Sequence, residues 1–281
     1  HGLSHALALA AARRRRSMDA MARIPVGFIG HGAPTLALEE GGFAAALGAW
    51  GAALREAAAP RGVAIVSAHW TSAIARTGVE ARAPLFYDFG GFDPALRDVQ
   101  YPAPGSPALA AQVRELTGAR AEPTRALDHG VWVPLLKMFP AADLPVVQVA
   151  LPLRTGPAGW IALGRALAPL AADGVLVLGS GGAVHNLGRL DWDSTAAAPA
   201  PWAVAFEDWL TATLARGDLA ALGRVLDDAP ALRDAHPSVE HLAPLLVAAG
   251  AAASADALPP PRYPVTGWTM GSLSMRSVEW P

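Results

Sequence analysis

Short apolar runs of strand length alternate with longer Ala- and Leu-rich segments along this chain, and that alternation limits its fold more than any other feature. The runs are Val26–Ile29, Val63–Ser67, Val146–Ala150 and Val175–Gly179, each bounded by Gly, Pro or polar residues. They are apolar nearly throughout, as strands covered on both faces are. Between them, Phe43–Ala58, Leu109–Thr117, Trp160–Ala172, Pro201–Ala215 and His241–Ala249 have helical spacing. Strands alternating with helices predict an α/β fold, a single layered domain with a central, mostly buried sheet flanked by helices. The ending, Val265 to Val278, alternates more evenly and predicts a closing hairpin or pair of strands. Ala252–Pro261, with Ser, Asp and a Pro triplet, predicts a surface loop.

The 281 residues are 52% hydrophobic and 16% charged, enough apolar material to bury a sizeable core over most of the length. No internal repeat or long linker interrupts residues 24–281, which read as one domain. Residues 1–23 read as a leader or an expression remnant, disordered or peripheral to the fold. Their apolar stretch from Ala6 to Ala12 precedes Arg13–Arg16, the reverse of signal-peptide order, and Met18 or Met21 is the expected start.

A formal net charge of −2 creates no overall field toward nucleic acid or anionic lipid, so neither is an expected partner. No apolar run reaches the roughly 18 residues that a membrane span needs, and a cytoplasmic location is expected. The chain has no cysteine, which excludes disulfides, iron–sulfur clusters, thiolate zinc sites and a cysteine nucleophile. Any metal must be held by His, Asp or Glu.

Eight histidines are present, in very different settings. His1 and His5 lie in the leader. His31 follows the run ending at Ile29, in Gly30-His31-Gly32-Ala33-Pro34. His69 follows Val63–Ser67, and His185 follows Val175–Gly179 after a Gly-rich loop. Ligands of α/β sheets bind beyond the carboxyl ends of strands, so three histidines just past three strands are expected to converge. Any one of them alone is more simply a satisfied turn residue; the shared setting argues for a site. Imidazole suits Fe, Zn, Cu or Ni, and fewer than four protein ligands leave positions for substrate or oxygen. His129, in Asp128-His129-Gly130, is expected in a loop leading to Trp132, with Asp128 as an alternative N-cap. Ser238 reads as an N-cap that places Glu240 and His241 in the first turn of a helix, and His236, before Pro237, reads as loop surface.

Several motifs fail. Gly179-Ser180-Gly181-Gly182 is neither a dinucleotide fingerprint, since Val184 stands at the third glycine, nor a nucleophile elbow, since Leu178 stands at the first. There is no phosphate-binding Gly-Lys loop, Lys137 being the only lysine, and no His-Glu-x-x-His.

Taken in order, Gly30–Pro34, Ser67-Ala68-His69-Trp70, Tyr87-Asp88-Phe89-Gly90-Gly91-Phe92, Tyr101–Pro107, Asp128-His129-Gly130, Val184-His185-Asn186-Leu187, Glu240-His241 and Met270–Val278 resemble the class III extradiol ring-cleavage dioxygenases, a LigB-like family, in its DOPA 4,5-dioxygenase branch. The resemblance runs from about Pro25 to Val278. It implies a LigB-like α/β catalytic domain over residues 24–281 and one metal, Fe(II) for activity, with Zn(II) bound in purified protein. His31 and His69 match two metal ligands of the family. The third falls at Glu240-His241; distant members use a glutamate, but this branch places a histidine there, which selects His241. His185 matches a position read as catalytic acid/base or as a fourth metal contact, and His129 an acid/base group near the substrate. Ala33, where close relatives carry Ser, and Gly182-Ala183, where they carry Asn-Val, depart from the pattern and bear on substrate preference.

The expected reaction inserts O₂ into a catechol-type ring, DOPA-like or related, to give a ring-opened semialdehyde. A divalent metal acidifies a bound hydroxyl, and His185 and His129 are the candidates to move the remaining protons. The partners are then a small catechol and O₂. A zinc-dependent hydrolase on the same histidines and a Memo-like, non-enzymatic metal-binding interaction protein are the alternatives.

Overall fold

The computed structural model of the protein describes residues 24–192 and 198–281; the expectations for residues 1–23 lie outside them. In chain order the main elements are β1 (Val26–Gly30), α1 (Gly42–Ala58), β2 (Gly62–Ser72), β3 (Arg76–Gly78), α2 (Pro107–Thr117), β4 (Arg120–Glu122), α3 (His129–Met138), β5 (Val146–Pro152), α4 (Gly156–Leu167), β6 (Val175–Gly181), α5 (Pro201–Ala215), α6 (Ala243–Ala252), β7 (Trp268–Thr269), β8 (Leu273–Ser274) and β9 (Val278–Trp280). Shorter helical turns join them. No described helix is long and apolar enough to cross a membrane.

Seven strands form one sheet in the order β4-β3-β5-β2-β6-β1-β9. The central four, β5, β2, β6 and β1, are mutually parallel, while β3 and β9 run antiparallel to the strands they flank. The period-2 alternation of a strand sends Val63 and Ile65 to one core and Ala64 and Val66 to the other. Leu47 of α1 and Val131 and Leu135 of α3 cover the first face; Leu163 of α4, Phe206 of α5 and Leu245 of α6 cover the second. Helix α6 is buried along its whole length, as a helix apolar all round must be. It approaches α4 closely through glycines: a Cβ on Gly164 would lie 1.9 Å from the Val247 carbonyl oxygen, and one on Gly250 would lie 2.2 Å from that of Ile161. The expected closing elements are present as the β7–β8 hairpin and as β9 on the edge of β1.

Four expectations are corrected. His69 is not beyond its strand; β2 continues to Ser72, and its pairing with β5 shifts register between Val66 and Thr71, so His69 sits within an irregularity of the strand. His129 is not in a loop but is the first residue of α3. The β-branched residues and Pro134 hide that helix in the sequence. Pro134 cannot donate to the Gly130 carbonyl one turn back, and the Ser180 hydroxyl donates to that oxygen instead. Helix α6 starts at Ala243, so His241 stands in the turn before it; the Ser238 hydroxyl donates to Glu240 at 2.8 Å and does not cap the helix. His236 is 2% exposed, not surface: its Nε2 donates to the Ala183 carbonyl at 2.9 Å, and its ring meets Phe206 edge-on.

Candidate metal and active site

The carboxyl ends of β1, β2 and β6 open onto one cavity of about 230 Å³, whose walls include His31, His69, His129, His185 and His241. Glycines permit this crowding. A Cβ on Gly181 would lie 2.1 Å from the His241 carbonyl oxygen, which instead accepts from Gly182 N at 2.9 Å. A Cβ on Gly130 would fall 2.7 Å from Ser67 Oγ and 2.9 Å from the His69 ring. The Gly-rich stretch that fails as a nucleotide motif therefore serves to bring the His241 turn against the end of β6.

Hydrogen bonding assigns the ring tautomers. Ser180 uses its proton on the Gly130 carbonyl, so it accepts from His31 Nδ1 at 3.0 Å, leaving His31 Nε2 unprotonated. His241 Nδ1 donates to Glu240 Oε1 at 3.2 Å, and its Nε2 is buried without a hydrogen-bond partner. His69 Nε2 lies 3.2 Å from His31 Nε2, and its Nδ1 faces Asp88 Oδ2 at 3.6 Å. Donor atoms of His31, His69 and His241 lie within 4.8 Å of one another. Three converging imidazoles, one with an orphaned buried nitrogen, fit a divalent transition metal.

Burial, reinforced by the neighbouring histidines, holds His31 well below its ordinary pKa and brings His69 down to about 3 and His185 to about 2. All three are thus neutral near pH 7, the state in which imidazole ligates. The hydrogen bond from His241, together with that from Ser238, brings Glu240 down to about 2 against the cost of burial.

His185 stands outside the converging three. It stacks flat on His241, ring centroids 3.5 Å apart and planes 5° from parallel. His129 also stands to one side, its ring 4.0 Å from that of His69. Its Nδ1 and backbone N–H both donate to Asp88 Oδ1, at 2.8 and 3.0 Å. Burial pushes the Asp88 carboxyl up, but the His129 hydrogen bonds outweigh it and hold the group below its usual range. His69, Asp88 and His129 form a second cluster with metal-ligand spacing, yet Asp88 and His129 already occupy each other there.

The role of Asp88 was missed in the sequence, although Tyr87–Phe92 stood out as a block. Its loop is pinned where Phe86 N donates to Leu127 O at 2.7 Å and Leu127 N to Pro84 O at 2.9 Å, which delivers Asp88 to the start of α3. Asp128 holds the N-cap position, but its side chain does not cap. Fully buried, it accepts from Ser67 at 2.7 Å, from Arg125 at 2.5 Å and from Gln148. This network ties β2, β5 and the start of α3 together beneath His69 and His129.

Residues 28–265 match the family described as the catalytic LigB subunit of aromatic ring-opening dioxygenase. A protein named 4,5-DOPA dioxygenase extradiol from Escherichia coli K12 is 39% identical, with 92% of this chain and 94% of the relative covered. One of the same name from Beta vulgaris is 37% identical over 80% of this chain and 85% of the relative. The crystal structure of an uncharacterized Escherichia coli K12 protein superposes with a TM-score of 0.75 at 32% identity, covering 92% of this chain and all of that one. Five histidines around one cavity, at the carboxyl end of a largely parallel sheet, accord with these matches, and the chain belongs to the LigB family of aromatic ring-opening dioxygenases.

Proposed function

We propose that the chain is a non-haem, metal-dependent extradiol dioxygenase that opens a catechol ring to a semialdehyde, with His31, His69 and His241 as metal ligands. The observation that carries this reading is the convergence of the three rings, with the His241 Nε2 buried and unpartnered. Fe(II) is the working metal in this account and Zn(II) its stand-in in purified protein; bound there, the metal would acidify the catechol and supply adjacent positions for substrate and O₂. The relatives' names support this chemistry over the hydrolase and interaction-protein alternatives.

The chain's own residues do the rest. Ser180 and Glu240 fix the His31 and His241 rings through Nδ1, as carboxylate and hydroxyl partners of metal-bound histidines do. His129, held through Nδ1 by Asp88, has Nε2 free to take the second catechol proton. His185 lines the same cavity, and its neutral ring is the candidate to move the other proton; its stacking on His241 makes it a neighbour of the ligands and not one of them. Phe89, Phe92 and Trp192 enclose the space where the ring would lie. Oxygen uptake by Fe(II)-loaded protein on adding DOPA, caffeate, protocatechuate or the uncharged catechol and 4-methylcatechol tests the reading. Uptake matched to loss of catechol is expected; its absence for every catechol and metal tried would refute it.

A further inference from the structure

Beyond the histidines and Asp88, the side chains of the cavity wall are apolar. Phe89, Phe92, Leu187, Leu190, Trp192 and Leu273 line it, and Ala33 adds a methyl near His31. Leu187 and Trp192 are 56% and 59% exposed, unusual for such large apolar side chains, and both stand on the cavity wall. An apolar rim at a binding pocket is where a ligand's apolar substituent gains most from leaving water.

No Lys or Arg side chain lines the cavity among the described residues. Arginines in or beside the lining segments are engaged elsewhere. Arg125 pairs with Asp128 at 2.5 Å and lies over the Trp70 ring. Arg189 pairs with Asp234 at 3.1 Å and lies over Trp202. Arg276 pairs with Glu207 at 3.0 Å and lies over Tyr263. Arg97 donates to the Phe89 carbonyl at 3.3 Å. Residues 193–197, outside the described residues, read Asp-Ser-Thr-Ala-Ala and so carry no cationic side chain. Among the described residues, the one charged group on the wall is Asp88, an anion. A substrate carboxylate entering here would lose water, find no Lys or Arg among the described residues and approach Asp88.

We propose that the catechols this site prefers carry an uncharged apolar substituent, alkyl or aryl, at the position facing Leu187 and Trp192, and that a carboxylate there is disfavoured. The inference rests on the catechol reading of the site and narrows its substrate class.

The test compares 4-propylcatechol with 3-(3,4-dihydroxyphenyl)propanoate, which share the ring and the chain length but end in methyl or carboxylate. Binding of each to the full chain loaded with redox-inert Zn(II) is measured by calorimetry, and kcat/KM for each on the Fe(II) form by oxygen uptake. Propylcatechol is expected to lead in both by about tenfold or more, the range by which apolar pockets discriminate small groups. Leu187→Arg should narrow both ratios by supplying the missing cation, and a neutral Leu187→Gln should narrow them less. Equal or tighter binding of the propanoate, or of neither probe, overturns the inference. Preferential binding of propylcatechol, without oxygen uptake from either probe or from any other catechol and metal tried, upholds the inference about the pocket and overturns the dioxygenase reading.

Discussion

Asp88 accepts two hydrogen bonds from His129 through one oxygen, from the ring Nδ1 at 2.8 Å and from the backbone N–H at 3.0 Å. A single carboxylate oxygen thus caps helix α3 and sets the tautomer of its first residue, while the other oxygen faces His69 Nδ1 at 3.6 Å. Asp88→Asn keeps the size of the side chain but removes the charge, and its amide can present a donor to His129. Partners of this kind are worth about 10–100-fold in metal affinity or activity. We expect kcat to fall within that range with the metal retained, read by metal analysis and oxygen uptake on one preparation.

His129 itself should behave as a proton-transfer group. His129→Gln is expected to keep the metal and lower kcat by about 10²–10⁴-fold, the usual contribution of general acid–base catalysis, and to alter the pH profile. Unchanged turnover per folded molecule would make the residue a structural anchor for the Asp88 loop. Lost metal at unchanged stability would make it a ligand.

The ligand set is separable from the remaining histidines by metal retention. His31→Ala, His69→Ala and His241→Ala are each expected to lose the metal after dialysis. His236→Phe, buried behind the site and bonded to Ala183, should retain it. Metal content by mass spectrometry, with circular dichroism confirming the fold, gives the answer for each variant.

The backbone at Gly181 packs closely against the His241 turn. Alanine there would place a methyl 2.1 Å from the His241 carbonyl oxygen. Overpacking of this kind costs typically about 1–3 kcal/mol. Gly181→Ala is expected to lower the denaturant midpoint accordingly and, by displacing the His241 turn, to weaken metal binding.

Acid should destabilise the metal-free protein in a defined window. Burial lowers the pKa of His236 from 6.5 to about 4, so between those values the unfolded chain binds a proton that the folded chain does not. Stability is therefore full above the unfolded value and declines as pH falls toward about 4, with a slope of up to about 1.4 kcal/mol per pH unit from this one residue. His31, His69 and His185 act in the same direction. His236→Phe should remove about one proton from the slope measured by urea unfolding. At pH 8 it should also cost about 1–3 kcal/mol by leaving the Ala183 carbonyl without its donor.

The parallel core strands were legible in sequence because their apolar runs are dense and sharply bounded, and His31 could be placed beyond the first of them. What the sequence concealed was tertiary compensation. Helix α3 contains Pro134, tolerated because Ser180 of β6 satisfies Gly130, a partner 50 residues away. The register shift around His69 appears only when β2 is paired with β5. Asp88 could not be given a role because its loop is positioned by Leu127, not by its own neighbours. His236 resembled loop surface because a Pro follows it, yet Phe206 of α5 folds over it.

Isotope labelling shows whether this cavity directs O₂ into a catechol ring. Fe(II)-loaded protein is given 4-propylcatechol under ¹⁸O₂ in ordinary water, and the ring-opened product is trapped by reduction of its aldehyde before oxygen can exchange with solvent. Mass spectrometry should find both heavy atoms in the trapped product, one in the carboxylate and one in the alcohol derived from the aldehyde, and His31→Ala should yield none. A ring-opened product without heavy oxygen, or no ring-opened product at all from the Fe(II)-loaded protein, would contradict the account.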